Sequence, residues 1–258
     1  MSTPVFTIRA TATLARAEDV IRQRDVSALA VVDDEGALVG VVSLADLLHV
    51  SEVRGVGKDR TVELVMPSRK VEEIMTREVL TVGPVESIGS AAQLMWEQRI
   101  HRVFVASDDE LHGVFSARDV MQSIGYRRIP GMVSQLMSEP LRALESGVAV
   151  HDAIAQLASE PVSGLVVLED GHAIGVFGQE EALIAKHLGS STTVDSVMSP
   201  ALCTVPAETQ LFRAAQQASV MNVRRIVVER DGTAVGAVSG LEFCRCIAQR
   251  AGAYPILA

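Results

Sequence analysis

The sequence predicts an α/β (α+β) fold built from one unit of strand, helix, hairpin and helix that occurs four times. Three observations carry this. A glycine that ends an apolar hairpin run recurs at Gly40, Gly113, Gly175 and Gly236, the last three spaced by about sixty residues. Three residues after each stand Ser43, Ser116, Gly178 and Ser239, and three further on an acid, Asp46, Asp119, Glu181 and Glu242. About twenty-five residues before each glycine is an apolar helix anchor, Leu14, Ile88, Val150 or Leu211, and six residues before that an apolar strand residue, Ile8, Val82, Leu144 or Val205. Self-similarity at a fixed period marks a repeat architecture and outranks other signals.

Composition bounds the function. The chain has 258 residues, enough for a large core without staples. Aromatic residues make up 3%, which argues against base-stacking platforms, and the net charge of −9 argues against nonspecific binding to nucleic acid or anionic lipid. Three cysteines form no disulfide framework. No apolar run approaches the ~20 residues of a membrane span and no secretory leader is evident, so the expected location is cytoplasmic.

The elements follow in order. The first repeat, 1–50, has a strand at Thr7-Ile8 and a helix with Leu14, Ala17, Val20 and Ile21 on its apolar face. A hairpin of Leu29–Val32 and Leu38–Val42 follows around Asp33-Asp34-Glu35-Gly36, and Ser43 opens a second helix. A connector, Ser51–Lys70, carries five basic residues and Pro67. Its Gly55-Val56-Gly57-Lys58 hints at a phosphate loop but lacks the upstream glycine and the hydroxyl after the lysine. The second repeat, 71–124, places Ile88, Ala91, Ala92 and Met95 on a helix face and reads Arg-Ile-His-Arg-Val-Phe-Val from Arg99 through a polar turn, Ser107-Asp108-Asp109-Glu110, into Gly113. Residues Gly125–Gly131 read as the joint between two halves. The third repeat, 132–188, has the face Val150, Ala153, Ile154, Leu157, and the fourth, 194–250, has Leu211, Ala214, Ala215, Ala218. The short apolar tail to Ala258 either docks or frays.

Four units with Thr81-Val-Gly-Pro84, His101-Arg-Val-Phe-Val105 and Gly113-Val-Phe-Ser-Ala-Arg-Asp119 resemble the CBS domain, named for cystathionine beta-synthase. The resemblance covers nearly the whole chain. It implies that repeats pack sheet to sheet in pseudo-twofold pairs, or Bateman modules, here about 1–125 and 131–250. It also implies clefts that bind AMP, ADP, ATP or S-adenosylmethionine as regulatory ligands, with no required cofactor, and association into a homodimer or higher homo-oligomer acting on a regulated protein partner. Two departures stand out. The first repeat lacks the Ile74-Met75, Leu136-Met137 and Val197-Met198 lead-in of the others, and the third has Ala143 and Gly178 where the others have hydroxyls, so its site reads as lapsed.

An ionised carboxylate accepts from both hydroxyls of a ribose, which suits Asp46, Asp119 and, less well, Glu242. Serine hydroxyls and free amides at a helix start suit phosphate, which selects Ser43, Ser116 and Ser239. His101, Arg102, Arg118, Arg224 and Arg225 can neutralise phosphate charge, and Thr7, Thr81 and Thr204 can bond base or phosphate. The competing account is structural. Ser-x-x-acid at a helix start is a capping box, worth about 1 kcal/mol without any ligand. Glutamate is its usual partner, and aspartate is expected to be too short to close it well. The basic pairs alternate: counting back from the glycine, repeats two and four carry His101-Arg102 and Arg224-Arg225, and repeats one and three carry Ala28-Leu29 and Ser163-Gly164. Solvated surface charge is the plain explanation for them. Cys244 and Cys246 lie two apart on a helix, point to different faces and suit a core better than a metal. No HExxH, nucleophile elbow or His–acid pairing is present, so no catalytic set is read. The expected function is adenosine-nucleotide sensing. The alternatives are an assembly scaffold with empty clefts and an enzyme with an unrecognised site.

Overall fold

The computed structural model describes residues 1–56, 61–107, 110–160, 162–185, 188 and 191–250, with the backbone alone in 52–56 and 61–65. Gly57-Lys58, Asp108-Asp109 and the tail from 251 lie outside the described residues.

The predicted unit is present four times. It comprises β1 (Thr7–Arg9), α1 (Leu14–Arg24), β2 (Ala28–Val32), β3 (Leu38–Ser43) and α2 (Leu44–Val50) in the first repeat. The second has β6 (Thr81–Val82), α3 (Ile88–Glu97), β7 (Arg102–Ser107), β8 (Glu110–Ser116) and α4 (Ala117–Arg127), after a hairpin of β4 (Glu52–Val56) and β5 (Thr61–Val65). The third has β9 (Ala143–Glu145), α5 (Val150–Ser159), β10 (Gly164–Glu169), β11 (His172–Gly178) and α6 (Gln179–Ala185). The fourth has β12 (Cys203–Pro206), α7 (Leu211–Val220), β13 (Arg225–Arg230), β14 (Thr233–Ser239) and α8 (Gly240–Ala248). In each repeat the first strand pairs parallel and the third antiparallel with the central strand.

Two expectations shift here. The connector, to which the sequence assigns no element, holds the β4–β5 hairpin. The joint between halves is shorter than expected, because α4 continues through Tyr126 and Arg127 and ends on left-handed Arg128. The helix faces are as read, with Leu14, Ala17 and Ile21, Ile88 to Met95, and Leu211 to Ala218 buried.

Strand alternation shows how repeats meet. Leu29 and Val31 face a core under the helices, while Ala30 between them points to the opposite face of the sheet and is buried too. Phe104, Val166 and Val227 repeat this. A sheet buried on both faces has a second layer against it, and β11 meets β14 there. The pairing within a module is secured by exchange of lead-ins. Ser2 bridges to Val114 and Thr76 to Val41 in the first module, and Ser138 to Ala237 and Ser199 to Val176 in the second. Each exchange places a methionine over the sibling's marker glycine. A methyl built on Gly40 would lie 2.7 Å from Met75 Sδ, and one on Gly113 2.8 Å from Met1 Sδ. This corrects the expectation that the first repeat lacks the lead-in, since Met1-Ser2 takes the place of Met75-Thr76, Met137-Ser138 and Met198-Ser199.

The helices join the modules to each other. One continuous core combines the second and fourth repeats, with Val103, Val105 and Phe115 against Ile226, Val228 and Phe243. A second combines the first and third, with Leu29, Val31 and Val42 alongside Leu144, Leu165 and Phe177. Sheets therefore pair neighbours in sequence, and helices pair alternate repeats.

Candidate functional site

The site is built on four equivalent strand-to-helix turns. Ser43 leaves β3 in an extended conformation (φ −123°, ψ 169°) and caps α2. Its amide and hydroxyl both donate to Asp46 Oδ2, at 2.8 and 2.7 Å. Ser116 donates likewise to Asp119 Oδ2 at 2.8 and 2.6 Å, and Ser239 to Glu242 Oε2 at 2.8 and 2.6 Å. Aspartate thus closes the cap as well as glutamate does, contrary to expectation, because the extended cap residue turns its amide and hydroxyl toward the first helical turn. In the third repeat only the Gly178 amide reaches Glu181 Oε2, at 2.9 Å.

The second carboxylate oxygen differs among the four. Asp46 Oδ1 accepts no hydrogen bond among the described residues. Asp119 Oδ1 faces the Met1 ammonium at 3.3 Å. Glu242 Oε1 accepts from Ser138 Oγ, in the third repeat's lead-in, at 3.0 Å. Burial pushes the Glu181 carboxyl up. Burial acts the same way on Glu242, but the bonds from Ser239 and Ser138 outweigh it and hold that carboxyl below the usual range.

The basic residues converge where the modules meet. Strand register aligns Arg102 opposite Ser116, Arg225 opposite Ser239, Ala28 opposite Ser43 and Gly164 opposite Gly178. The residues matching His101-Arg102 in the first repeat are therefore Ser27-Ala28, one position earlier than counting back from Gly40 suggests. This reveals a relation that the sequence reading missed. Arg102 of the second repeat donates to Ser27 Oγ of the first, and Arg225 of the fourth donates to Ser163 Oγ of the third at 3.3 Å. The signal was present as serine in odd repeats and basic residues in even ones, but only the sheet-to-sheet packing makes them partners.

Burial, with repulsion from Arg224, pulls the Arg102 guanidinium down to about 10. Burial and the adjacent Arg102 push His101 down to about 4, so its ring is neutral at pH 7; Arg225, Glu242 and Arg224 also act on it. Burial, with repulsion from Arg224, lowers Arg118, and Asp25 and Asp119 oppose the shift. Arg224 is exposed, and His101, Arg102, Arg118 and Arg225 are half-buried. Among the described residues no carboxylate lies within 4.0 Å of Arg102, Arg118, Arg224 or Arg225. His101, Arg102 and Arg118 all feel Arg224, and His101 feels Arg225 as well, so these groups make one positive region suited to an anion. Thr7 and Thr81 are exposed, Thr204 is half-buried, and all three sit on first strands with no side-chain hydrogen bond among the described residues.

Cys203, Cys244 and Cys246 are buried thiols. Cys244 and Cys246 do leave α8 in different directions, yet both are buried, because α8 packs against α3 and α4 as well as its own sheet. Among the described residues no three metal-ligating side chains cluster, and no helix is long and apolar enough to cross a membrane.

The CBS-domain family model matches residues 1–52, 71–126 and 194–248. Among curated proteins, the chain is 26% identical over 178 residues to an uncharacterized 33.4 kDa protein in the ribosomal RNA operon of Thermofilum pendens, covering 64% of this chain and 56% of that one. It is 27% identical over 123 residues to inosine-5'-monophosphate dehydrogenase of Methanocaldococcus jannaschii, covering 47% of this chain and 22% of that one. The chain thus spans about half or less of these relatives' lengths. Among solved structures, a Methanocaldococcus jannaschii protein described as a candidate archaeal homolog of g-AMPK superposes with a TM-score of 0.80 at 15% identity, over 96% of this chain and 98% of that one. A conserved protein of Pyrococcus horikoshii gives 0.66 at 17%, over 96% and 97%. At such identities the likeness is one of fold, and it extends to the third repeat, which the family model leaves out. Three matched segments and one unit folded four times make this chain a member of the CBS-domain family.

Proposed function

We propose that the protein is a regulatory ligand sensor, not an enzyme, and that it binds an adenosine nucleotide in the clefts between paired repeats. The observation that carries this reading is the nearness of two complementary features, Arg102 to Asp46 and Arg118 to Asp119. Four guanidiniums with no carboxylate within 4.0 Å among the described residues can receive a phosphate, and Asp46, whose Oδ1 accepts no hydrogen bond among them, can accept from ribose hydroxyls. Asp46, Asp119, Arg102, Arg118 and Arg224 are the principal contacts, with Ser43, Ser116, Thr7 and Thr81 supporting them. His101 and Arg225 complete the proposed set; Ser239, Glu242 and Thr204 are the equivalent positions of the fourth repeat and are left out of it, because Ser138 already occupies Glu242 Oε1. The four repeats 1–50, 71–124, 132–188 and 194–250 act as two modules whose relative packing shifts when a ligand prefers one arrangement. A cytoplasmic homodimer with a regulated protein partner is the accompanying expectation.

Titration of the protein with AMP, ADP, ATP and S-adenosylmethionine by calorimetry tests the reading. Saturable binding that weakens with added salt supports it. No heat with any of the four at millimolar concentration rejects it in favour of an assembly scaffold, a reading that the closed serine–acid caps favour. Light scattering checks the assembly, where a pure monomer at high micromolar concentration contradicts the dimer.

A further inference from the structure

The four lead-ins present a hydroxyl at one equivalent position: Ser2, Thr76, Ser138 and Ser199. Each lies on the sibling repeat's last strand, close to where that sibling's helix begins. Ser138 alone among them bonds the helix-start acid, Glu242. Glutamate is one methylene longer than aspartate. Its Oε2 still accepts the Ser239 amide and hydroxyl, and its Oε1 reaches the lead-in. Asp46, with the same cap, stops short of Thr76.

Acceptor positions follow from this. A carboxylate offers about four lone-pair directions. Asp46 uses two on its cap and keeps both on Oδ1 for the two hydroxyls of a ribose. Glu242 has three hydrogen bonds already and keeps one, which cannot serve a vicinal diol. In the third repeat Glu181 is not captured by Ser199, but that cleft has neither the Gly178-position hydroxyl nor a threonine at Ala143.

We infer that the length of the acid at the third helical position decides which clefts bind. Asp46, with Oδ1 unoccupied among the described residues, leaves the first module open to a ribose-bearing ligand, Asp119 Oδ1 meets the Met1 ammonium and no lead-in hydroxyl, and Glu242, held by Ser138, closes the fourth-repeat cleft. Ser138 and Glu242 are thus specificity-determining residues that confine binding to the first module. This rests on the sensor reading above and narrows it.

Equilibrium dialysis of the full chain with AMP as the probe tests it. The wild type is expected to bind no more than two AMP per chain, and Glu242→Gln to keep both the number and the affinity within twofold. Asp46→Glu is expected to weaken AMP at least tenfold, because Thr76 captures the longer acid. Adding Thr76→Val to that variant should restore affinity to within about threefold. Three or four AMP per wild-type chain, an AMP lost in Glu242→Gln, an Asp46→Glu chain that binds normally, or a failure of Thr76→Val to rescue each overturns the inference while leaving the sensor reading intact. No AMP bound by the wild type overturns both.

Discussion

The half of the molecule made by repeats two and four and the half made by repeats one and three use the same unit and pack it differently. In the even half α3 lies along α8, α4 lies along α7, and α4 and α8 also meet. In the odd half α2 touches α6, and each otherwise leans on the first helix of its own repeat. The α4 and α8 helices have 11 and 9 residues, whereas α2 has 7, about two turns. Small residues allow the even helices to close in. A methyl on Gly125 would lie 2.9 Å from Gln216 Cγ of α7, and one on Gly240 2.6 Å from Ala117 Cβ of α4. Gln216 then donates to the Gly125 carbonyl at 2.9 Å. Chemistry follows the same division. The even half supplies the arginines and the odd half supplies the serines that receive them.

The largest effect is expected from the even core. Phe243 is fully buried in it, and Phe243→Ala should cost about 3–5 kcal/mol in urea unfolding. Hydrogen exchange should show α4, α7 and α8 opening more slowly than α2 and α6, since opening free energy follows local packing. Equal protection in the two halves breaks the comparison.

Ligand binding sharpens it next. Asp119→Ala and Asp46→Ala each remove charge-assisted bonds worth roughly 1.5–3 kcal/mol, so nucleotide affinity should fall about ten- to hundredfold in calorimetry. Glu181→Ala should leave affinity nearly unchanged, and a tenfold loss would return the third cleft to the binding set.

The pH dependence separates two groups. His101 is held neutral in the folded chain at about 4, against 6.5 for the free side chain. The unfolded chain binds the extra proton between those values, so His101 removes stability as pH falls from about 6.5 toward 4. His101→Gln should flatten that part of the urea-midpoint profile. Glu242 has its carboxyl lowered, so its contribution is present above the ordinary glutamate value and is lost as pH falls through the folded one. The smallest effect is the cap. Ser239→Ala should cost about 1 kcal/mol of stability with little change in binding.

Much of this was legible because it is local. Helix faces depend on spacings of three and four residues, and the marker Gly, Ser and acid sit within one strand-to-helix turn. The third repeat's Ala143 and Gly178 could likewise be read as lost hydroxyls. The alternation of basic pairs was visible, but not its meaning. The first hairpin carries one extra residue between Ala28 and Gly40, which displaced the alignment and hid Ser27 as the partner of Arg102. The first repeat's lead-in was missed because Met1-Ser2 is recognisable only by what it covers.

The sequence by itself determined the repeated unit, its element order, its caps and its inventory of acids and arginines, since each follows from periodicity or from hydrogen bonds three residues apart. The tertiary structure decided which repeats share a core, which serine receives which arginine, and whether an acid keeps a free oxygen. Those contacts join residues 62 to 109 positions apart, as in Arg225 with Ser163, Arg102 with Ser27, Ser138 with Glu242 and Arg245 with the Leu136 carbonyl. No local pattern encodes a partner at that distance. It is selected by burying the helix faces of alternate repeats together, which sets the sheets, and with them the side chains at their ends, in register.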